Sequence, residues 1–208
     1  MKILLSVPQR SFVSEYPVII PDTGLGYLAT VARRAGHGVS LLGWNMDPAP
    51  EAYQAALERE RPDIVGIKVF TKDVGATVRT IALIRAALPG TVVVVGGPHP
   101  SSADPDALFH DLPGADFAIR GEGEIGLPRL MRALGAPQPA GGDQTLAEIP
   151  GLVWKRPDGS VAANPTALTD LDAQENEAWD LNDPRTFPAF SVTGLSTTRV
   201  GAPFITSR

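Results

Sequence analysis

Apolar residues recur along this chain in two rhythms, unbroken short runs and stretches with a spacing of three to four, and the two alternate from Met1 to about Leu134. The most continuous run is Val92 to Val95, which leads into Gly96, Gly97, Pro98, His99 and Pro100. Four β-branched residues without a polar interruption predict a strand buried on both faces, the environment of a central strand in a parallel sheet. Lys2–Val7, Val39–Leu42, Asp63–Phe70 and Ala115–Ile119 read as four further strands. Helical spacing links them. A first helix begins at Asp22 and Thr23 and carries Leu25, Leu28, Ala29, Ala32 and Ala35, and a second runs from Pro50 to Arg61. A third spans about Val74 to Leu88, a short one Pro105 to Leu112, and a last one bears Leu127, Leu130, Met131 and Leu134. The pattern predicts an α/β fold, a doubly wound five-stranded parallel sheet of Rossmann-like type, over residues 1–134 in the strand order 2-1-3-4-5.

Residues 135–208 read differently. Gly135 to Asp143 is a Gly, Pro and Ala linker, where a domain boundary is expected. Leu152–Trp154 and Ser160–Ala163 flank Arg156-Pro157-Asp158-Gly159, the pattern of a β-hairpin whose turn is Pro-Asp-Gly. The rest, through Leu171, Asp172 and Trp179 to Pro188, has no sustained period. It is expected to lie across the first domain or against a further one, as a hairpin-bearing C-terminal extension.

In open α/β sheets ligands bind beyond the carboxyl ends of the strands, and glycines there admit a ligand to the backbone. Gly96 and Gly97 stand at the central exit, where a side chain on Gly97 is expected to take ligand volume without unfolding the protein. The first strand's exit carries Pro8, Gln9 and Arg10 and opens a loop lasting to Asp22, long enough to suggest function. Lys68 interrupts the third strand and needs a partner or an exit to solvent, the crevice being within reach. Phe70 and Thr71 follow it. His99 stands where an imidazole can face a ligand, whereas His37 lies at the opposite edge of the sheet and reads as structural. Gly24 and Gly26, in the first turn of the first helix, either offer backbone N–H groups to a ligand or permit close packing. Gly121, Glu122, Gly123 and Glu124 repeat the glycine-rich exit after the fifth strand.

Composition narrows the candidates. A net charge of −5 provides no basic surface for nucleic acid or an anionic membrane, and no apolar stretch approaches the length of a membrane span, so a soluble cytoplasmic protein is expected. The 208 residues include no cysteine, which excludes disulfides, thiolate metal ligands and cysteine nucleophiles. The fingerprint G-x-G-x-x-G after the first strand is absent, which argues against a conventional nicotinamide or flavin domain.

Several segments together resemble the amino-terminal half of the cobalamin-binding radical S-adenosylmethionine proteins. They are Gly24-Leu25-Gly26-Tyr27-Leu28 with Ala35-Gly36-His37, Asp63-Ile64-Val65-Gly66-Ile67, Val95-Gly96-Gly97-Pro98-His99-Pro100, Arg120-Gly121-Glu122-Gly123-Glu124, and Ile149-Pro150-Gly151-Leu152 with the Asp158-Gly159 turn. The resemblance covers essentially the whole chain and implies that cobalamin lies on the carboxyl ends of the strands, its nucleotide tail in a slot beside Gly96-Gly97. Carried over, the cofactor-binding positions are Pro8, Gln9, Arg10, Lys68, Phe70, Thr71, Gly96, Gly97, Pro98, His99, Gly121, Glu122 and Gly123. The D-x-H-x-x-G signature of other corrinoid domains is missing, so a histidine ligand to cobalt is not expected. No catalytic residue and no protein-bound metal is assigned.

The resemblance also implies a following catalytic barrel whose three cysteines hold an iron–sulfur cluster that cleaves S-adenosylmethionine. Here Ala202 and Thr206 occupy the first two cysteine positions, and neither side chain can bind iron as a thiolate does. The iron–sulfur cluster and S-adenosylmethionine are therefore expected only in a full-length relative, and a missing C-terminal catalytic domain is the expected partner. The reading is a cobalamin-binding module of a radical S-adenosylmethionine enzyme, in full length a methyltransferase. The alternatives are a non-catalytic interaction or regulatory domain with an empty crevice and, more weakly, an enzyme using Glu122 and Glu124 as acid and base.

Overall fold

A computed structural model describes residues 1–9, 21–42, 49–136, 143–170 and 176–186. Its core is one mostly parallel sheet. Strands β1 (Lys2–Ser6), β2 (Gly38–Leu42), β3 (Ile64–Lys68), β4 (Val92–Gly96) and β5 (Phe117–Ile119) are parallel in the order expected from the sequence. Helices α1 (Thr23–Arg34), α2 (Pro50–Glu60), α3 (Val74–Ala87), α4 (Pro98–Ser102), α5 (Pro105–Asp111) and α6 (Gly123–Gly135) provide the crossovers. A one-turn helix, α7 (Asp143–Ala147), precedes the hairpin.

The alternation of side chains along each strand divides the core into two layers. Ile64 joins Ile3, Leu5, Val94 and Ile119 against α1 and α6, packing on Leu25, Ala29, Leu127 and Leu130. Val65, Ile67 and Val69 join Leu4, Val93 and Val95 against Tyr53, Leu57, Ile81, Ile84 and Leu108 of α2, α3 and α5. Each fully buried large apolar side chain contributes about 1.5–3 kcal/mol relative to exposure. On the second face Tyr53 Oη and Ser6 Oγ lie 2.6 Å apart, which satisfies both buried hydroxyls.

The hairpin departs from the five-stranded expectation. β6 (Leu152–Lys155) pairs antiparallel with β5, with Trp154 opposite Phe117, and β7 (Val161–Ala163) pairs antiparallel with β6. The short strand β5 would otherwise be an edge with unpaired backbone groups, and β6 satisfies them. Among the described residues the sheet therefore has seven strands, in the order β2-β1-β3-β4-β5-β6-β7, and runs across the boundary expected near residue 135. The predicted turn is formed, with Ser160 N–H donating to Asp158 Oδ1 at 2.9 Å.

Beyond the hairpin the chain returns over the carboxyl side of the sheet. Gly151 N–H donates to Pro165 O at 2.9 Å, and Thr169 N–H donates to the Glu122 carboxylate. Further on, Ala178 N–H donates to Gly26 O of α1 at 3.2 Å, so this part does lie across the first domain.

Candidate functional site

On the α1/α6 face the packed layer thins toward the carboxyl ends of β3 and β4. Pleating turns Ile64, Gly66 and Lys68 of β3, and Val92, Val94 and Gly96 of β4, toward this face, so two glycines stand where the packed layer would continue. The result is a slot of about 380 Å³, floored by Leu5, Gly66, Val94, Gly96 and Ile119 and walled by Gly24, Leu25 and Leu28 of α1 and Gly123, Glu124 and Leu127 of α6. A Cβ on Gly96 would meet only Ile119 O, at 3.6 Å, and would project into this space.

Gly97 is a different glycine. Its φ is +97°, and a Cβ there would stand 3.2 Å from both the N and the O of Val69 and 3.1 Å from Lys68 Cγ. A side chain at 97 is strained by the backbone and collides with the β3 exit, so this glycine is required by the fold. The expectation that Gly97→Val leaves a folded protein is therefore withdrawn.

The mouth of the slot is polar. Lys68 Nζ lies 2.7 and 2.8 Å from the two carboxylate oxygens of Asp22, which also caps α1 by accepting from Leu25 N–H at 3.0 Å. The Asp22 side chain is 7% exposed and that of Lys68 23%, so the pair is largely desolvated and the loss of either partner strands the other. The Phe70 ring lies 5.3 Å from the same ammonium. Opposite them Gly121, with φ +70°, packs on Thr166, and its N–H donates to Ser101 Oγ at 3.0 Å. The Glu122 carboxylate is engaged by Thr169 N–H, which ties the wall to the returning chain.

The sequence-predicted residues separate into groups. Lys68, Gly96, Gly97, Gly121, Glu122 and Gly123 line the slot. Pro8 and Gln9 are buried outside its lining, with Gln9 N–H donating to Thr80 Oγ1 of α3 at 2.8 Å. Phe70 borders the mouth. Pro98 opens α4, and the buried His99 has Nδ1 3.4 Å from Thr71 Oγ1 and Nε2 3.9 Å from Asp111, away from the slot. Arg10, Ala202 and Thr206 lie outside the described residues. Two acidic residues were missed as site residues. Asp22 was legible only as a cap, and Glu177, buried beside α1 with its carboxyl raised by desolvation to about 7, stands in a segment without periodicity.

The family model described as the B12 binding domain matches residues 10–131, more than half of the 208 residues. The chain belongs to that family. The chain is 29% identical over 210 residues to an uncharacterized methyltransferase of Pyrococcus horikoshii, covering 98% of this chain and 44% of the relative. It is 26% identical over 182 residues to the hopanoid C-3 methylase of Methylococcus capsulatus, covering 87% and 33%. The chain thus spans less than half the length of these curated relatives. Among solved structures the fold matches OxsB, a cobalamin-dependent S-adenosylmethionine radical enzyme with aqua-cobalamin and S-adenosylmethionine bound, at a TM-score of 0.67 and 20% identity over 81% of this chain and 22% of that one. It also matches the radical S-adenosylmethionine methyltransferase TsrM of Kitasatospora setae at 0.63 and 24%, over 79% and 30%.

The slot fits part of cobalamin. A cavity of about 380 Å³ with apolar walls is within the usual range of small-molecule sites, and it suits the flat, weakly polar base of a nucleotide tail. It is too small to enclose a corrin ring. Among the described residues no cluster of His, Cys, Asp or Glu is arranged to hold a metal ion.

Proposed function

We propose that this chain is the cobalamin-carrying part of a longer radical S-adenosylmethionine enzyme, a methyltransferase, and that its slot takes the nucleotide tail. The carrying observation is the pair of glycines on one face of the sheet: Leu5 packs over Gly66, Gly96 faces the cavity, and an apolar slot remains at the carboxyl end of a sheet whose other face is filled. Cobalamin, when bound, supplies a transferable methyl group. Within this reading Leu25, Leu28, Ile119 and Leu127 exclude water from the tail, Gly96 lets it reach the backbone, and Lys68 offers a cation to the phosphodiester at the mouth. Phe70 borders the ring, and Arg10 belongs to the same rim by the resemblance.

The relatives' names and their greater length support a second, catalytic part as partner. That part has to supply the iron–sulfur cluster, because this chain contains no cysteine. A cytoplasmic location accords with the reading, and no described helix is long and apolar enough to cross a membrane. Glu122 accepts from Thr169 N–H, which gives it a structural role in the slot wall. Purification from cobalamin-supplied cells tests the proposal. A coloured protein with corrin absorption bands and one equivalent of cobalamin is expected, and a colourless one that titrates none overturns it in favour of an interaction domain.

A further inference from the structure

Residues 176–182 lie along α1 and are held to it at four places. Ala178 N–H donates to Gly26 O at 3.2 Å, and Thr30 Oγ1 donates to Asn176 O at 3.0 Å. Arg33 forms a two-pronged ion pair with Asp180 at 2.7 and 2.8 Å, and the buried Asn182 donates from Nδ2 to Asp22 O at 3.0 Å. The Glu177 side chain occupies space over the first turn of α1 that exists only because residue 26 is glycine, since a Cβ there would stand 2.2 Å from Oε2. Glu177 is 5% exposed, Oε2 lies 3.4 Å from Asn182 Nδ2, and Oε1 has no hydrogen-bond partner. Gly26 N–H is itself bonded to Asp22 O at 3.1 Å, so this glycine serves close packing of the returning chain and offers no N–H to a ligand.

Asp22 connects the segment to the slot. Its carbonyl is held by Asn182, and its carboxylate holds Lys68 at the slot mouth. Gly24 and Leu25, the next residues but one and two, form the slot wall. We propose that Glu177 and Asn182 are positioning residues: docked on the first turn of α1, they fix the Asp22 turn and through it Lys68 and the α1 wall, so that cobalamin affinity depends on the docking of residues 176–182. The inference rests on the reading that the slot takes cobalamin.

Docking should weaken as pH rises. Desolvation and the nearby Asp22 carboxylate raise the Glu177 carboxyl from 4.5 to about 7, so the docked state holds a proton that the released state gives up. Docking is therefore strongest below about pH 4.5, weakens as pH rises through 7, and is then constant. Of the charged groups on the elements packed here, Asp22 opposes ionisation of Glu177, Lys68 is engaged with Asp22, and Arg33, two turns along α1, is engaged with Asp180. The shift limits the effect to roughly two orders of magnitude in docking.

The test measures the affinity of the chain for cyanocobalamin at pH 6 and pH 8.5, for the parent, Glu177→Gln and Asn182→Ala. The parent is expected to bind more weakly at pH 8.5, by at most about tenfold. Glu177→Gln should hold the pH 6 affinity at both values, and Asn182→Ala should be weak at both, with melting curves showing that each variant is folded. Hydrogen exchange of the Ala178 and Asn182 amides in the cobalamin-free chain, corrected for intrinsic pH dependence, should be faster in the parent than in Glu177→Gln at pH 8.5 only. Equal parent affinity at both pH values, or a Glu177→Gln variant that follows the parent, overturns the proposal alone. Failure of the parent to bind at pH 6 overturns the cobalamin reading, and the proposal with it.

Discussion

The two faces of the same five parallel strands are built differently at their carboxyl ends. Toward α2, α3 and α5 the layer is continuous, with Ile67, Val69 and Val95 buried against Tyr53, Leu57, Ile81 and Leu108. Toward α1 and α6 the layer stops at Gly66 and Gly96, and about 380 Å³ remains open. The closed face supports the sheet while the open one leaves room for a ligand. Close packing explains why one fold can do both, since a filled face holds strand positions even where the facing layer is incomplete.

Substitutions on either face can break the comparison. The largest stability loss is expected for Leu57→Ala on the closed face, about 3 kcal/mol in denaturant unfolding, with cobalamin affinity of the folded fraction unchanged. On the open face Gly96→Val should do the reverse, weakening cobalamin binding at least about 100-fold in a spectroscopic titration while the melting temperature moves by only a few degrees, since its Cβ meets only Ile119 O, at an ordinary contact distance of 3.6 Å. A Gly96→Val variant that binds as the parent does would place the tail elsewhere. Lys68→Met sits between these cases. It leaves the largely buried Asp22 carboxylate without its cation, so a loss of about 1–2 kcal/mol in stability is expected together with weaker binding, and Asp22→Asn added to it should restore part of the stability alone. The smallest effect is Tyr53→Phe, about 1 kcal/mol by unfolding, because Ser6 Oγ keeps a second acceptor in Gly66 O at 3.3 Å.

How much of this was legible in the sequence follows from the range of the interactions. The five strands and their order could be read because each is a local run bounded by turn residues, and the hairpin because Pro-Asp-Gly sits between two short strands. Its union with β5 depends on pairing Phe117 with Trp154, which no local pattern records. Gly96 was found through its neighbours, but Gly66 was not singled out, although counting back two residues from Lys68 along a pleated strand puts both on the open face. Thr71 and His99, beyond the ends of their strands, contact each other outside the slot lining, which strand alternation could not show. Asp22 was legible as a helix cap and not as the partner of Lys68, because the two are 46 residues apart. Glu177 could not be found at all: what makes it unusual is the missing side chain at Gly26, and that juxtaposition exists only in the folded chain.

The central claim is that the open face holds a nucleotide tail and the strand ends hold the ring. It is tested most directly by titrating this chain, side by side, with cyanocobalamin and with cobinamide, which has the same corrin ring without the tail. One equivalent of cyanocobalamin is expected to bind at least about 100-fold more tightly than cobinamide, the contribution expected of a buried apolar group of this size. Equal affinity for the two would contradict it, because the slot between α1, α6 and the glycine floor would then contribute nothing to binding.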